Sequence, residues 1–239
     1  MRLRYEEKFI LKALNLPEKA QEVISRLSST DQKDMLCPPV NLCFTVINGD
    51  LKRIWTYDSL LCTLKSYEHE SFSFLHHKTL QIKSNLYAFA SKPLVVYVYE
   101  NIAKHETGQH TIRTLAKADY REYFTLAGFK DELIYITGGS YDRLGATQTV
   151  QAFNLATNNF DSVPDMIEAR YNHSATTTSN ALFVFGGWSG MDRIATIERL
   201  CLTEKSAWET IRSESFTARE HATVCTISDR EILICGGLN

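Results

Sequence analysis

Three times in 239 residues, an apolar run rich in β-branched and aromatic side chains ends in two adjacent glycines: "ELIYITGG", "ALFVFGG" and "ILICGG". The pairs begin at Gly138, Gly186 and Gly236, so they are 48 and 50 residues apart. A period of that length marks a chain assembled from repeated supersecondary units. Glycine at a strand end needs no room for a Cβ and accepts positive φ, which lets the chain turn sharply beside a neighbouring unit. A phosphate-cradling loop does not explain the pairs, because no helical pattern follows them and no Gly-Lys-Ser/Thr is present.

Aligning the chain on this period brings short apolar runs into register. One unit reads "HSATTTS", "ALFVFGG", "TIERLCL" and "AWETI", and the unit before it reads "YFTLAGF", "ELIYITGG", "TVQAFNL" and "NFDSVPD". Each run has the length and residue types of a strand and is bounded by turn-forming residues. A further step back gives "SFLHHKTLQI", "NLYAFAS", "LVVYVYE" and "HTIRTLA", with Ser91 where a glycine pair is expected. The earliest unit gives "LCFTVING", "KRIWTYD" and "LLCTLKS", with Asn48-Gly49 in that place. Residues 1–36 differ: they are rich in helix formers, and Leu16, Ala20, Val23, Ile24 and Leu27 recur on one helical face. A short α-helical segment is therefore expected ahead of the strands.

A net charge of −2 and scattered Lys and Arg leave no basic face for nucleic acid or for an anionic membrane surface. The longest apolar stretches, such as "PLVVYVY", fall far short of the ~20 residues of a spanning helix. No pair of the six cysteines has the two-residue spacing of a zinc or redox motif, so buried, reduced thiols and a cytoplasmic location are expected. His76 and His77, adjacent on a strand pattern, point to opposite faces and do not chelate one metal together.

Within the units, Gly186-Gly187 leads to Ile197 and Leu200, then Trp208, then Arg219 and His221. Gly138-Gly139 leads to Val150 and Phe153, then Phe160 and Met166, then Arg170 and His173. This order resembles the kelch repeat, strongly over residues 123–237 and more weakly over 41–122. The resemblance implies an all-β fold of kelch-type β-propeller blades over residues 37–239. About four blades are expected, roughly at 41–67, 70–116, 120–165 and 169–213, with a partial one at 217–239. Packing between neighbouring blades accounts for strands that are apolar on nearly every residue. The glycine pairs (Gly138, Gly139, Gly186, Gly187, Gly236, Gly237), Trp208, and His173 and His221 are read as structural. The two histidines are taken as equivalent positions in successive units.

Three strands, three sets of four and a final two do not close a ring, so an incomplete propeller is expected, either part of a longer chain or one completed by a partner. Function is expected in the connecting loops. Those after the later glycine pairs lengthen and carry Tyr141, Asp142, Arg143, Trp188, Met191, Asp192 and Arg193, of which the aromatic, Met and Arg residues are types enriched at interface hot spots. The offset of 50 residues between the two Asp-Arg pairs also fits a structural turn. The resemblance adds Arg170 and Arg219 as arginines that line a recognition face. The expected role is a non-catalytic adaptor or scaffold binding a protein partner, of the kind that serves a ubiquitin ligase or the cytoskeleton. No cofactor, metal ligand or catalytic residue is assigned. The alternative is a propeller enzyme resembling galactose oxidase or a sugar epimerase, with its site over the central channel. No Tyr/His/Cys set or acid/base pair in the sequence singles itself out for that chemistry.

Overall fold

A computed structural model of the chain describes residues 42–44, 53–58, 63–68, 78–91, 94–100, 112–118, 120–141, 145–204 and 207–239, the first three stretches by their backbone. The helical segment expected over 1–36, the pair His76-His77, and Asp142 and Arg143 lie outside the described residues. Contacts divide the chain into two compact units. One comprises Asn41–Tyr57 and Thr63–Asn239 and holds the strands, the last residue of β2 excepted. The other comprises Met1–Val40 and Asp58–Cys62.

The described residues are all-β. Seventeen strands form five antiparallel sheets in which each strand pairs with its neighbour in sequence. The first sheet holds β1 (Leu42–Phe44), β2 (Arg53–Asp58) and β3 (Thr63–Glu68). The second holds β4 (Lys78–Ile82), β5 (Asn85–Ser91), β6 (Leu94–Tyr99) and β7 (Ile112–Ala118). The third holds β8 (Thr125–Phe129), β9 (Leu133–Thr137), β10 (Val150–Asn154) and β11 (Asn159–Ser162). The fourth holds β12 (Ser174–Thr177), β13 (Ala181–Phe185), β14 (Ile197–Cys201) and β15 (Glu209–Ile211), and β16 (Thr223–Ser228) pairs with β17 (Glu231–Cys235) in the fifth. These are the runs and groupings expected from the repeat, and the three sets of four are antiparallel sheets of the kind that form propeller blades.

The first strands of successive blades, β4, β8, β12 and β16, lie side by side. Hydrogen bonds between them recur at the repeat spacing: Thr125 Oγ1 donates to the His173 carbonyl (2.7 Å), Thr226 Oγ1 donates to the Thr177 carbonyl (2.7 Å), and Ser174 donates to the Ala222 carbonyl.

The blade β8–β11 shows why its strands do not alternate apolar with polar. On one face Ile134, Ile136 and Phe153 join Phe89, Val96 and Val98 of the preceding blade in a single core. On the other, Tyr135, Val150 and Ala152 join Leu182, Val184, Leu200 and Trp208 of the next. Both parities of the strand are thus buried, each large side chain contributing about 1.5–3 kcal/mol. Phe89 meets Phe153 edge-on across the blade boundary, with ring centroids 5.9 Å apart.

Burial on both faces does not extend to β16 and β17, where Ile227 and Leu233 are exposed. The expectation of buried thiols fails with it at Cys225 and Cys235, and also at Cys201 at the end of β14. Cys225 is exposed, Cys235 and Cys201 are half-buried, and all three are free.

Candidate functional site

Each of the last three sheets is entered through the same corner. Arg121, Arg170 and Arg219 stand 49 residues apart, and two residues after each comes one with a left-handed backbone: Tyr123 (φ 55°), Asn172 (φ 53°) and His221 (φ 57°). The three are bonded in series, the Asn172 amide donating to the Tyr123 carbonyl (3.3 Å) and the His221 amide to the Asn172 carbonyl (2.8 Å). Asn tolerates this conformation better than most residues, whereas Tyr and His hold it because the flanking corner is bonded on both sides.

The glycine pairs bind one corner to the next. The Gly139 amide donates to the Arg170 carbonyl (2.9 Å) and the Gly187 amide to the Arg219 carbonyl (2.8 Å). A Cβ at Gly138 or Gly186 would stand 2.3 Å from those same carbonyl oxygens, and both residues have positive φ. Only glycine allows this approach.

This alignment corrects one sequence expectation. The position of His221 is that of Asn172 and Tyr123, while His173 corresponds to Phe124 and Ala222, so the two histidines are one residue out of register. Their environments differ accordingly. His173 is buried, with its Nε2 2.7 Å from Thr137 Oγ1, while His221 is exposed. Burial, reinforced by the Arg170 and Lys78 cations, holds His173 well below the usual imidazole pKa, so its ring is neutral at pH 7.

The arginines of the corners point inward. The Arg170 side chain is fully buried, where it donates to the Gly186 carbonyl (2.7 Å) and pairs with Glu198 and Glu168. Glu198, equally buried, also accepts the backbone amides of Ile167 (2.6 Å) and Glu168 (3.0 Å). Arg170 therefore does not line a recognition face: its donors are spent inside the blade. Arg121 is buried in the same way but meets neutral groups, Gln151 Oε1 (3.0 Å) and the Tyr141 hydroxyl (2.6 Å), and its guanidinium also lies 5.3 Å from the Tyr141 ring centroid. Tyr141 is thus half-buried and committed to Arg121. Arg219, half-buried, donates to Thr217 and to the Gly236 carbonyl (3.2 Å).

The loop after Gly187 presents a different surface. Trp188 pairs with Tyr171 through both backbone groups. The Ser189 hydroxyl accepts the amides of Met191 (3.2 Å) and Asp192 (3.0 Å) and closes a tight turn through Gly190 (φ 105°). Met191, at the tip, is 83% exposed. The Arg193 guanidinium lies 5.8 Å from the Trp188 ring and pairs with Glu220 across the blade boundary (3.3 Å). Met191, Trp188 and Arg193 therefore share one loop on a rigid base, with Asp192 exposed beside them. The Trp208 indole is buried and donates to the Pro164 carbonyl (2.7 Å), a structural place.

A cavity of about 700 Å3 opens at the starts of the inner strands. Lys78, Tyr123, Tyr171, Asn172, His173 and His221 contribute to its walls. The Tyr123 and Tyr171 rings touch, with centroids 5.8 Å apart. Sequence reasoning missed Lys78, Arg121, Tyr123 and Asn172. The 49-residue step from Arg219 to Arg170, taken once more to Arg121, would have found three of the four. Among the described residues no cluster of three His, Cys, Asp or Glu side chains is placed to hold a metal ion.

Residues 169–213 match the family model of the Kelch motif, a range that runs from just before Arg170 to just past the end of β15. No curated protein matches the chain. The segment 169–213 therefore matches a kelch motif, and the sheets on either side of it carry the same arginine corner and glycine pair.

Proposed function

We propose that the chain is a non-catalytic protein-interaction module that binds its partner through the loop 188–193, in an adaptor or scaffold role. The observation that carries the reading is Met191, which is held 83% exposed at the tip of a turn locked by Ser189 and backed by the Trp188–Arg193 stack. An exposed Met beside Trp and Arg on a rigid base supplies apolar contact area at little ordering cost on binding. The bonds of Arg170 and Tyr141 into the blade interior support the same choice, since they commit those two side chains away from a contact surface. A cytoplasmic location and a ubiquitin-ligase or cytoskeletal partner belong to the proposal as the setting that suits such a module.

The test places a photo-crosslinking amino acid at position 191 and, in a separate protein, at exposed Glu214. Adducts to a discrete protein formed from 191 and not from 214, and lost on Trp188→Ala, are expected. Equal labelling from both positions would overturn the reading.

A further inference from the structure

We infer, on the basis of the loop-tip contact proposed above, that the loop 188–193 selects a basic partner segment, an apolar side chain beside a lysine or arginine. Glu220, at the entrance to the fifth sheet, sets this choice by engaging Arg193.

The two charged side chains of the loop stand in different surroundings. Arg193 is half-buried: its guanidinium lies 5.8 Å from the Trp188 ring centroid and its Nε lies 3.3 Å from Glu220 Oε1. Glu220 is itself held in place. Its backbone exchanges two hydrogen bonds with Leu238 (3.1 and 2.8 Å), and its Oε2 accepts the Asn172 side-chain amide (3.2 Å). The same oxygen lies 3.7 Å from His221 Nε2. Only 12% of the Glu220 side chain is exposed, so salt screens its attraction for Arg193 less than that of a fully solvated pair.

Arg193 therefore enters the contact surface with its charge already answered, and Asp192 does not. Asp192 is exposed, its backbone amide is held by the Ser189 hydroxyl (3.0 Å), and its carboxylate has no ion-pair partner among the described residues. Asp192, Arg193 and Glu220 together carry one net negative charge, next to the apolar tip at Met191. An acidic partner would meet that charge at a repulsive cost and would have to displace Glu220 to reach Arg193. A lysine or arginine on the partner pairs with Asp192 and breaks no existing contact, while an adjacent apolar side chain covers Met191. Charge complementarity thus favours a basic segment over an acidic one.

Panning of a random peptide library on the full chain, followed by calorimetric titration of the recovered peptides, tests this choice. Peptides whose binding is lost on Met191→Ala report on the loop. They are expected to carry net positive charge, with lysine or arginine next to an apolar residue. Asp192→Asn should weaken their binding about threefold or more, and Asp192→Glu should retain it. Glu220→Gln keeps an acceptor for the Asn172 amide but frees Arg193, and should weaken binding by a similar factor. Because Asp192 is exposed, its variants keep the fold and the test stands on them alone if Glu220→Gln melts early. Loop-dependent peptides that are neutral or acidic, or affinities that Asp192→Asn leaves unchanged, would overturn the inference while the loop-tip contact stands. Recovery of no peptide that depends on Met191 would overturn the loop-tip contact itself, and this inference with it.

Discussion

Arg170 and Glu198 form an ion pair from which solvent is wholly excluded on both sides. In the preceding blade the same corner is built from Arg121 and Gln151, a cation facing a neutral amide. The fold therefore supports two versions of one buried contact, which allows its charge to be tested separately from its hydrogen bonds. Glu198→Ala leaves the buried Arg170 guanidinium with only the partly exposed Glu168 as counter-charge and strands two backbone amides, and should cost about 3 kcal/mol. Glu198→Gln recreates the Arg121 arrangement and should cost less than half as much. Urea unfolding midpoints of the two variants decide the matter, and equal losses would show that the charge carries the contact.

The three glycine pairs are alike in sequence but should differ in their tolerance of substitution. Gly186→Ala forces a Cβ to within 2.3 Å of the Arg219 carbonyl oxygen at a φ of 58°, and should cost about 2 kcal/mol or more. At Gly236 the φ is 68°, but a Cβ would meet no heavy atom within 4 Å, so Gly236→Ala should cost about 1 kcal/mol, the backbone term alone. Thermal melting of the two proteins should place Gly186→Ala clearly lower.

His173 should make stability depend on pH. Its pKa in the folded chain lies well below the 6.5 of an exposed imidazole, so the unfolded chain takes up a proton more readily. Stability from this residue is complete above pH 6.5 and declines below it, by at most about 1.4 kcal/mol per pH unit. His173→Phe, which places the residue of Phe124 at the equivalent position, removes that slope. The urea midpoint should fall from pH 7.5 to pH 5.5 in the wild type and fall much less in the variant. Parallel slopes would exclude His173 as the source.

Trp208 combines apolar burial with one directed bond. Trp208→Phe keeps most of the contact with Leu182, Val184 and Leu200 but leaves the Pro164 carbonyl without its donor, a loss of about 1 kcal/mol. Trp208→Ala also opens a cavity in that core and should cost about 3–5 kcal/mol. A Phe variant as damaging as the Ala variant would assign the role of Trp208 to the hydrogen bond rather than to packing.

The strand order of this protein was legible in its sequence because the determinants are local and repeated. Runs such as Leu133 to Thr137 and Ala181 to Phe185 carry strand-forming residues between turn signals, and the glycine pairs after them set the period. Residue types also showed where an exposed loop with Trp188, Met191 and Arg193 would fall. What the sequence left open was the direction of each polar side chain and the register of the corners. Arg170 reads as a surface arginine until Glu198, 28 residues away in the chain, meets it inside the blade. Tyr141 reads as a contact residue until Arg121 takes its hydroxyl. His173 and His221 read as equivalents until the left-handed backbones of Tyr123, Asn172 and His221 set the alignment one residue apart. In the cavity wall Tyr123, Asn172 and His221 follow the 49-residue step, but Lys78 lies outside that series and has no sequence signature. Short-range propensity selects the strands, but burial of a charge and the shape of a cavity are properties of neighbours that only the packed blades bring together.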